Sequence, residues 1–129
     1  MKNNFTNVIS FYKSKETKIS EATTIQDVLN RIKNGYEVRA QIESLRKEHD
    51  KGTKDQIKGS LPMVTFSGLF GESRKRDQLL EYSNFICLDI DKLEKLDVLR
   101  TKIESDKFTS TCFLSPSGNG LKVLIKVSG

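Results

Sequence analysis

Four apolar residues stand in a row at Phe85-Ile86-Cys87-Leu88 and stop at the triplet Asp89-Ile90-Asp91. A run this short and continuous reads as a strand buried on both faces. The residues after it narrow the fold. Leu93, Leu96, Leu99 and Ile103 recur at helical spacing, and Thr109–Leu114 is a second buried strand. Ser115–Gly120 is a turn, and Leu121–Val127 sets Leu121, Val123, Ile125 and Val127 against Lys122, Leu124 and Lys126, as a strand half-buried on one face would. The second half is therefore a β-α-β-turn-β unit.

The first half is more polar. Residues 5–12, rich in aromatic and β-branched types, predict a strand, followed by a polar stretch to Thr24. Thr24 with Asp27 predicts a helix N-cap, Ile25, Val28, Leu29 and Ile32 an apolar helix face, and Gly35 its end. A second helix is expected over Glu37–Asp50, with Val38, Ile42 and Leu45 inward and Lys51-Gly52-Thr53 as its exit. Leu61–Gly68 predicts a short strand ending in a loop, residues 68–77 a loop or hairpin tip, and Gln78–Tyr82 a short helical turn. The class is α+β: a mixed sheet with helices on one or both faces, in a single domain over residues 1–129, expected to be the N-terminal part of a longer protein.

With 129 residues, 30% of them charged and 36% hydrophobic, one modest core is available. No apolar run approaches the roughly 20 residues a membrane helix needs, and Met1-Lys2-Asn3-Asn4-Phe5 lacks the apolar core of a signal peptide. A cytoplasmic chain with no membrane partner is expected. The net charge of +5 is compatible with a nucleotide or nucleic-acid partner and does not require one. Cys87 and Cys112 lie in apolar runs and read as free core thiols. His49 is the only histidine, in a charged stretch expected to be helical, so a histidine triad or zinc site within the chain is disfavoured.

Two motifs carry chemistry. Asp89 and Asp91 are two apart, so in an extended strand both carboxylates project to one side, just past its buried end. Such a pair suits hard cations, Mg²⁺ or Mn²⁺, held against phosphate oxygens. The competing reading is a helix cap: Asp91-Lys92-Leu93-Glu94 fits a capping box. The second motif is Ser115-Pro116-Ser117-Gly118-Asn119-Gly120-Leu121-Lys122. Asn119-Gly120 is a hairpin signal that explains those two residues alone. The serines, the extra glycine Gly118 and Lys122 also suit an amide-lined phosphate cradle with a point charge beside it. In a β-α-β-β unit the strand ending at Asp89 and the strand starting at Leu121 can be neighbours, which would place both motifs at one nucleotide site.

At these residues the chain resembles the archaeo-eukaryotic primase superfamily, which includes the primase-polymerases of plasmids and mobile elements. Cys87-Leu88-Asp89-Ile90-Asp91 resembles its Asp-hydrophobic-Asp motif, and Ser117-Gly118-Asn119-Gly120-Leu121-Lys122 its Ser-Gly-x-Gly-hydrophobic-His motif, with Lys122 in place of histidine. More closely, the chain is similar to the VirE N-terminal-like domain of Bacteroides-type bacteria, also at Lys58-Gly59-Ser60-Leu61-Pro62, Thr65-Phe66-Ser67-Gly68 and Lys92-Leu93.

The resemblance implies a primase-polymerase-like fold, RRM-like in its second half, and a role in DNA replication of a mobile element or plasmid. It implies Asp89 and Asp91 as catalytic metal ligands for Mg²⁺ or Mn²⁺. It implies phosphate contact by Ser117, Gly118 and Lys122, and the reading of the turn as a phosphate cradle adds Ser115, Asn119 and Gly120. Nucleoside triphosphate and DNA would be the partners, with a helicase-like region in the same parent chain and a third metal-binding carboxylate beyond Gly129. Arg74, Lys75 and Arg76 are candidate nucleic-acid contacts, or simply an exposed basic loop. The runner-up function is a non-catalytic nucleic-acid-binding module on the same fold.

Overall fold

Thr24 and Gly35 bracket the first helix as the sequence predicts. In the computed structural model, which describes residues 5–35, 38–91 and 94–127, α1 (Ile25–Asn34) begins where the Thr24 hydroxyl accepts the Asp27 N–H at 3.1 Å, and ends at Gly35, whose φ of 64° is the left-handed conformation that glycine tolerates. Ile25 and Val28 are buried beneath it. The helix α2 (Arg39–Lys47) buries Leu45, with Val38 and Ile42 half-buried. Its expected start at Glu37 lies outside the described residues.

The chain divides into two compact units, Met1–Ser83 and Asn84–Gly129. In the first, β1 (Val8–Tyr12) is the middle strand of an antiparallel sheet, between β2 (Glu21–Thr24) and β3 (Met63–Thr65). Being central, β1 carries the fully buried Ile9, Ser10 and Tyr12. The strand β2 falls where the sequence predicts irregular polar chain. It is an edge strand held through its backbone, so no apolar alternation marks it.

Lys51-Gly52-Thr53 does not end α2. It opens a third helix, α3 (Lys51–Ser60), because the Asp50 carboxylate accepts both the Thr53 N–H and the Thr53 hydroxyl at 2.9 Å. Those bonds hold the Asp50 carboxyl below its ordinary range. His49 is consequently exposed in the connection and not helical. Residues 68–77 are partly strand: β4 (Gly68–Phe70) pairs with β5 (Leu79–Tyr82) as an antiparallel ribbon, so the helical turn expected over Gln78–Tyr82 is instead a ladder-bonded strand, and a 3₁₀ turn stands just before it at Arg76–Gln78. Ribbon and sheet are tied by a ring of bonds. The Ser10 hydroxyl accepts the Phe70 N–H at 2.8 Å and donates to Ser20 Oγ at 2.9 Å, and Ser20 Oγ donates to the Phe70 carbonyl at 3.1 Å.

The second unit runs β6 (Phe85–Ile90), α4 (Leu96–Ser105), β7 (Thr109–Leu114), β8 (Leu121–Lys126), with strand order β6-β8-β7. The last strand inserts between the first two. Every pairing among the described residues is antiparallel, so the expected mixed sheet is replaced by small antiparallel ones. The helix α4 lies on one face, where Leu96 and Ile103 pack on Cys112, Leu121 and Val123, flanked by Ile90, Leu114 and Ile125. Burial on this scale stabilises by about 2 kcal/mol per large side chain.

Two expectations fail here for one reason, which is strand position. The strand β6 is not buried on both faces: it is an edge strand, and Ile86 and Leu88 are 38% and 45% exposed. The strand β8 is central, so Leu124 is fully buried although its alternation partners Lys122 and Lys126 are polar. The capping box fails separately. The helix starts at Leu96 with Lys95 as its cap, so Asp91 is not its N-cap; Lys92 and Leu93 lie outside the described residues. No helix among the described residues is long and apolar enough to cross a membrane.

Candidate functional site

The strand register does most of the placing. In the β6–β8 pair, Asp89 sits directly opposite Lys122, Ile90 opposite Leu121 and Cys87 opposite Leu124. Directly opposed residues share a face, and Lys122 Nζ meets Asp89 Oδ1 at 2.8 Å. Asp89 is 57% exposed and Lys122 30%, so the pair is screened by water and worth no more than about 1 kcal/mol. Asp89 lies within β6 and not past its end as expected; Asp91 is the residue that leaves the strand.

The β7–β8 turn is not built on Asn119-Gly120. Gly118 N–H donates to the Ser115 carbonyl at 2.9 Å, which makes a tight turn with Pro116 and Ser117 at its corners, and Ser115 N–H closes the hairpin on the Gly120 carbonyl at 3.0 Å. The residue with positive φ is Gly118, at 85°. Gly120 is required for a different reason. A β-carbon there would stand 2.7 Å from the Ile90 carbonyl oxygen and 3.2 Å from both Asp91 Oδ1 and Ser115 Oγ. The missing side chain is what lets the acid after β6 and the serine after β7 approach each other across β8. The serine hydroxyls extend this arrangement: Ser115 Oγ and Ser117 Oγ are 3.2 Å apart, and Ser117 Oγ donates to Asn119 Oδ1 at 2.7 Å. Among the described residues, the N–H groups of Ser117, Asn119 and Gly120 make no hydrogen bond.

The structure thus brings Asp89, Asp91, Ser115, Ser117, Gly118, Asn119, Gly120 and Lys122 to one end of one sheet. Arg74, Lys75 and Arg76 belong to the first unit. The Arg74 guanidinium is committed to backbone carbonyls, Nη1 to Thr17 at 3.1 Å and Nη2 to Lys15 at 3.0 Å, while Lys75 and Arg76 are exposed. The Lys58-Gly59-Ser60 segment lies at the end of α3 beside a shallow cleft of about 510 Å³. Glu16 and Asp55 line that cleft together with Lys15, so it has no bias toward anions.

The motifs alone do not single out one neighbour of the site. Cys87 shares the face of Asp89 and Lys122, a relation readable from its spacing of two before Asp89. Burial first, then the Asp89 carboxylate, pushes its thiol up to about 11, so it is an unreactive thiol at neutral pH. Both cysteines are free, as expected.

The donors present are carboxylate, hydroxyl and carbonyl oxygens, the set that Mg²⁺ or Mn²⁺ takes, and two carboxylates suffice where phosphates and water complete the shell. Among the described residues no cluster of three or more His, Cys, Asp or Glu side chains could hold an ion unaided. The residues therefore fit a cation that arrives with a phosphate ligand and do not form a closed cage.

A family model described as BT4734-like, N-terminal domain, matches residues 56–129, a stretch that contains the whole of this site. No curated protein and no solved structure matches the chain.

Proposed function

The chain belongs to the BT4734-like, N-terminal domain family, and from that premise we propose that its second unit is a metal-assisted nucleotide-phosphate site of primase-polymerase type. The observation that carries this reading is the joint placement of Asp89 against Lys122 and of Asp91 against Ser115 around Gly120. The order β6-β8-β7 around a β-α-β-β chain supports the finer, RRM-like form of the fold. The family's description as an N-terminal domain fits a unit at the head of a longer protein, and a helicase-like region in the same parent chain belongs to the proposal.

Asp89 and Asp91 would hold Mg²⁺ or Mn²⁺, which when bound supplies neutralisation and alignment of phosphate for in-line displacement. Everything else falls to the chain. The Lys122 ammonium leaves an exposed, weakly held carboxylate for a phosphate oxygen, a stronger charge-assisted partner. The Ser117 hydroxyl and the open amides of the turn take further phosphate oxygens. A nucleoside triphosphate so held presents its α-phosphorus to a 3′-hydroxyl or an initiating nucleotide, whose oxygen forms the new ester as the α–β anhydride bond breaks and pyrophosphate leaves, in the replication of a plasmid or other mobile element. An ammonium offers a compact point charge with rotatable donors, so position 122 acts as a phosphate ligand.

A second reading is favoured by one feature. Lys122 neutralises Asp89 from within the chain, which is also how a non-catalytic nucleic-acid-binding module would settle an acid left at this position. Calorimetry with Mn²⁺ and a nucleoside triphosphate separates the two. The site reading expects binding that Asp89→Ala abolishes; DNA binding indifferent to both aspartates, with no triphosphate bound, establishes the module. Primer synthesis by the parent protein tests the enzyme claim, and its survival in an Asp89→Ala/Asp91→Ala variant would refute it.

A further inference from the structure

The first unit gathers cations that are far apart in sequence. The loop from β1 to β2 carries Lys13, Lys15 and Lys18, and the tip of the β4–β5 hairpin carries Lys75 and Arg76. All five are exposed, and none has an ion-pair partner among the described residues. Arg74 holds the two loops together. Its guanidinium donates to the carbonyls of Lys15 and Thr17 and lies 4.8 Å from the centroid of the fully buried Tyr12 ring. The Ser10, Ser20 and Phe70 ring of hydrogen bonds is a second tether between the same segments. The two cation-bearing loops are therefore tied together on folding, before any ligand arrives, which lowers the ordering cost of binding; the Lys15 side chain itself lies over Gly59 of α3. Along β5, Leu80 lies near the tip and Tyr82 at the far end of the strand opposite Gly68, and they are 67% and 44% exposed.

We propose that the β1–β2 loop and the β4–β5 hairpin form one surface for single-stranded nucleic acid, with Lys13, Lys18, Lys75 and Arg76 on its phosphates, Tyr82 beneath a base and Arg74 as an internal brace. The proposal rests on the nucleotide-site reading for its choice of polymer. Cations spread over two loops match a repeating phosphate chain better than one small anion. Exposed Tyr82 and Leu80 offer area to unstacked bases, which a duplex does not present. The acids Glu16, Glu72 and Asp77 lie among the cations, so discrete phosphates can be met singly, whereas a continuous anionic plane would average over both signs. A lipid surface is met by an amphipathic apolar face; Ile19, Leu80 and Tyr82 are exposed large side chains of this surface, so vesicle capture is the competing outcome of the test.

The test is fluorescence anisotropy of the full chain with labelled oligothymidine across a salt series. Lys75→Ala/Arg76→Ala and Lys13→Ala/Lys18→Ala should each weaken binding and flatten the plot of log affinity against log salt by about 1.4, or about 0.7 for each phosphate of a single strand that no longer meets a cation. Tyr82→Ala should weaken binding roughly tenfold with the slope retained. A charge-matched control, Lys33→Ala/Lys47→Ala, on exposed positions of α1 and α2, should leave the slope unchanged. No oligothymidine binding, equal losses in control and loop variants, or preferential capture by phosphatidylserine vesicles that the loop variants abolish would each overturn the proposal. Mn²⁺–triphosphate calorimetry on the loop variants keeps the two readings apart. Retained triphosphate binding with lost oligothymidine binding supports both, and oligothymidine binding without any triphosphate binding removes only the nucleotide site.

Discussion

The turn at 115–120 and the hairpin tip at 71–78 are similar as strings. Both are polar, both contain glycine and serine, and both have basic residues at hand. As structures they are opposites. At the β7–β8 turn the charges are answered from within: Lys122 faces Asp89 across the strand pair, and the hydroxyls of Ser115 and Ser117 form a chain beside Asp91. At the β4–β5 tip Arg74 is turned to backbone carbonyls, and Lys75 and Arg76 meet no acid among the described residues. Composition does not separate the two cases. The residue opposite in the register does. On the proposed readings, a ligand at the first place must exchange partners with an acid already facing the cation, whereas at the second a polyanion meets cations with no acid in ion-pair contact among the described residues.

The largest effects expected are steric, one in each hairpin. A β-carbon at Gly120 would stand 2.7 Å from the Ile90 carbonyl oxygen, and one at Gly68 would press closer still on the Glu81 carbonyl oxygen. Gly68→Ala should cost about 3 kcal/mol and Gly120→Ala about 2 kcal/mol in urea unfolding, and only Gly120→Ala should also weaken Mn²⁺–triphosphate binding. Equal loss of triphosphate binding in both variants would break the contrast between the hairpins. Next comes Cys87. With its thiol raised from 9.0 to about 11, the folded chain should hold about a hundredfold less thiolate there at pH 8. Alkylation of Cys87 should be slow at that pH and climb toward pH 11, and rapid labelling at pH 8 would show that the face around Asp89 is open to water. The smallest effect is the most diagnostic. Lys122→Met should raise the affinity for Mn²⁺ alone about twofold, since it removes a screened ion pair from Asp89, while lowering triphosphate affinity. A parallel fall in both would mean that Lys122 merely supports the fold.

The second unit is largely legible in the sequence because its strands are apolar and its motifs lie at their ends. Thr109–Leu114 falls where the pattern places it, and so does the turn after it. Edge and centre are not legible. Phe85-Ile86-Cys87-Leu88 reads as doubly buried, yet strand order leaves one side of β6 open, and nothing local distinguishes those cases. In the first unit, α3 escapes the pattern because its sequence, Lys51 to Ser60, has no buried residue and two glycines, and is started by the Asp50 cap. The cap signal is present, and the charged, glycine-bearing segment obscures it. For the site, the residue types are readable but their geometry is not. Gly120 reads as a turn residue, when its task is to leave room between Ile90, Asp91 and Ser115. That requirement comes from a neighbouring strand and leaves no trace in the turn's own sequence.

The central claim is that the acids of β6 and the turn after β7 form one site. It is tested most directly by a double-mutant cycle on Mn²⁺-dependent triphosphate binding, with Asp91→Asn, Ser117→Ala and the pair measured by calorimetry. One shared site predicts that each single change weakens binding and that the two together fall short of their sum by more than about 0.5 kcal/mol. Strictly additive losses, or a Ser117→Ala variant that binds as the wild type does, would contradict it and return the turn to a plain hairpin.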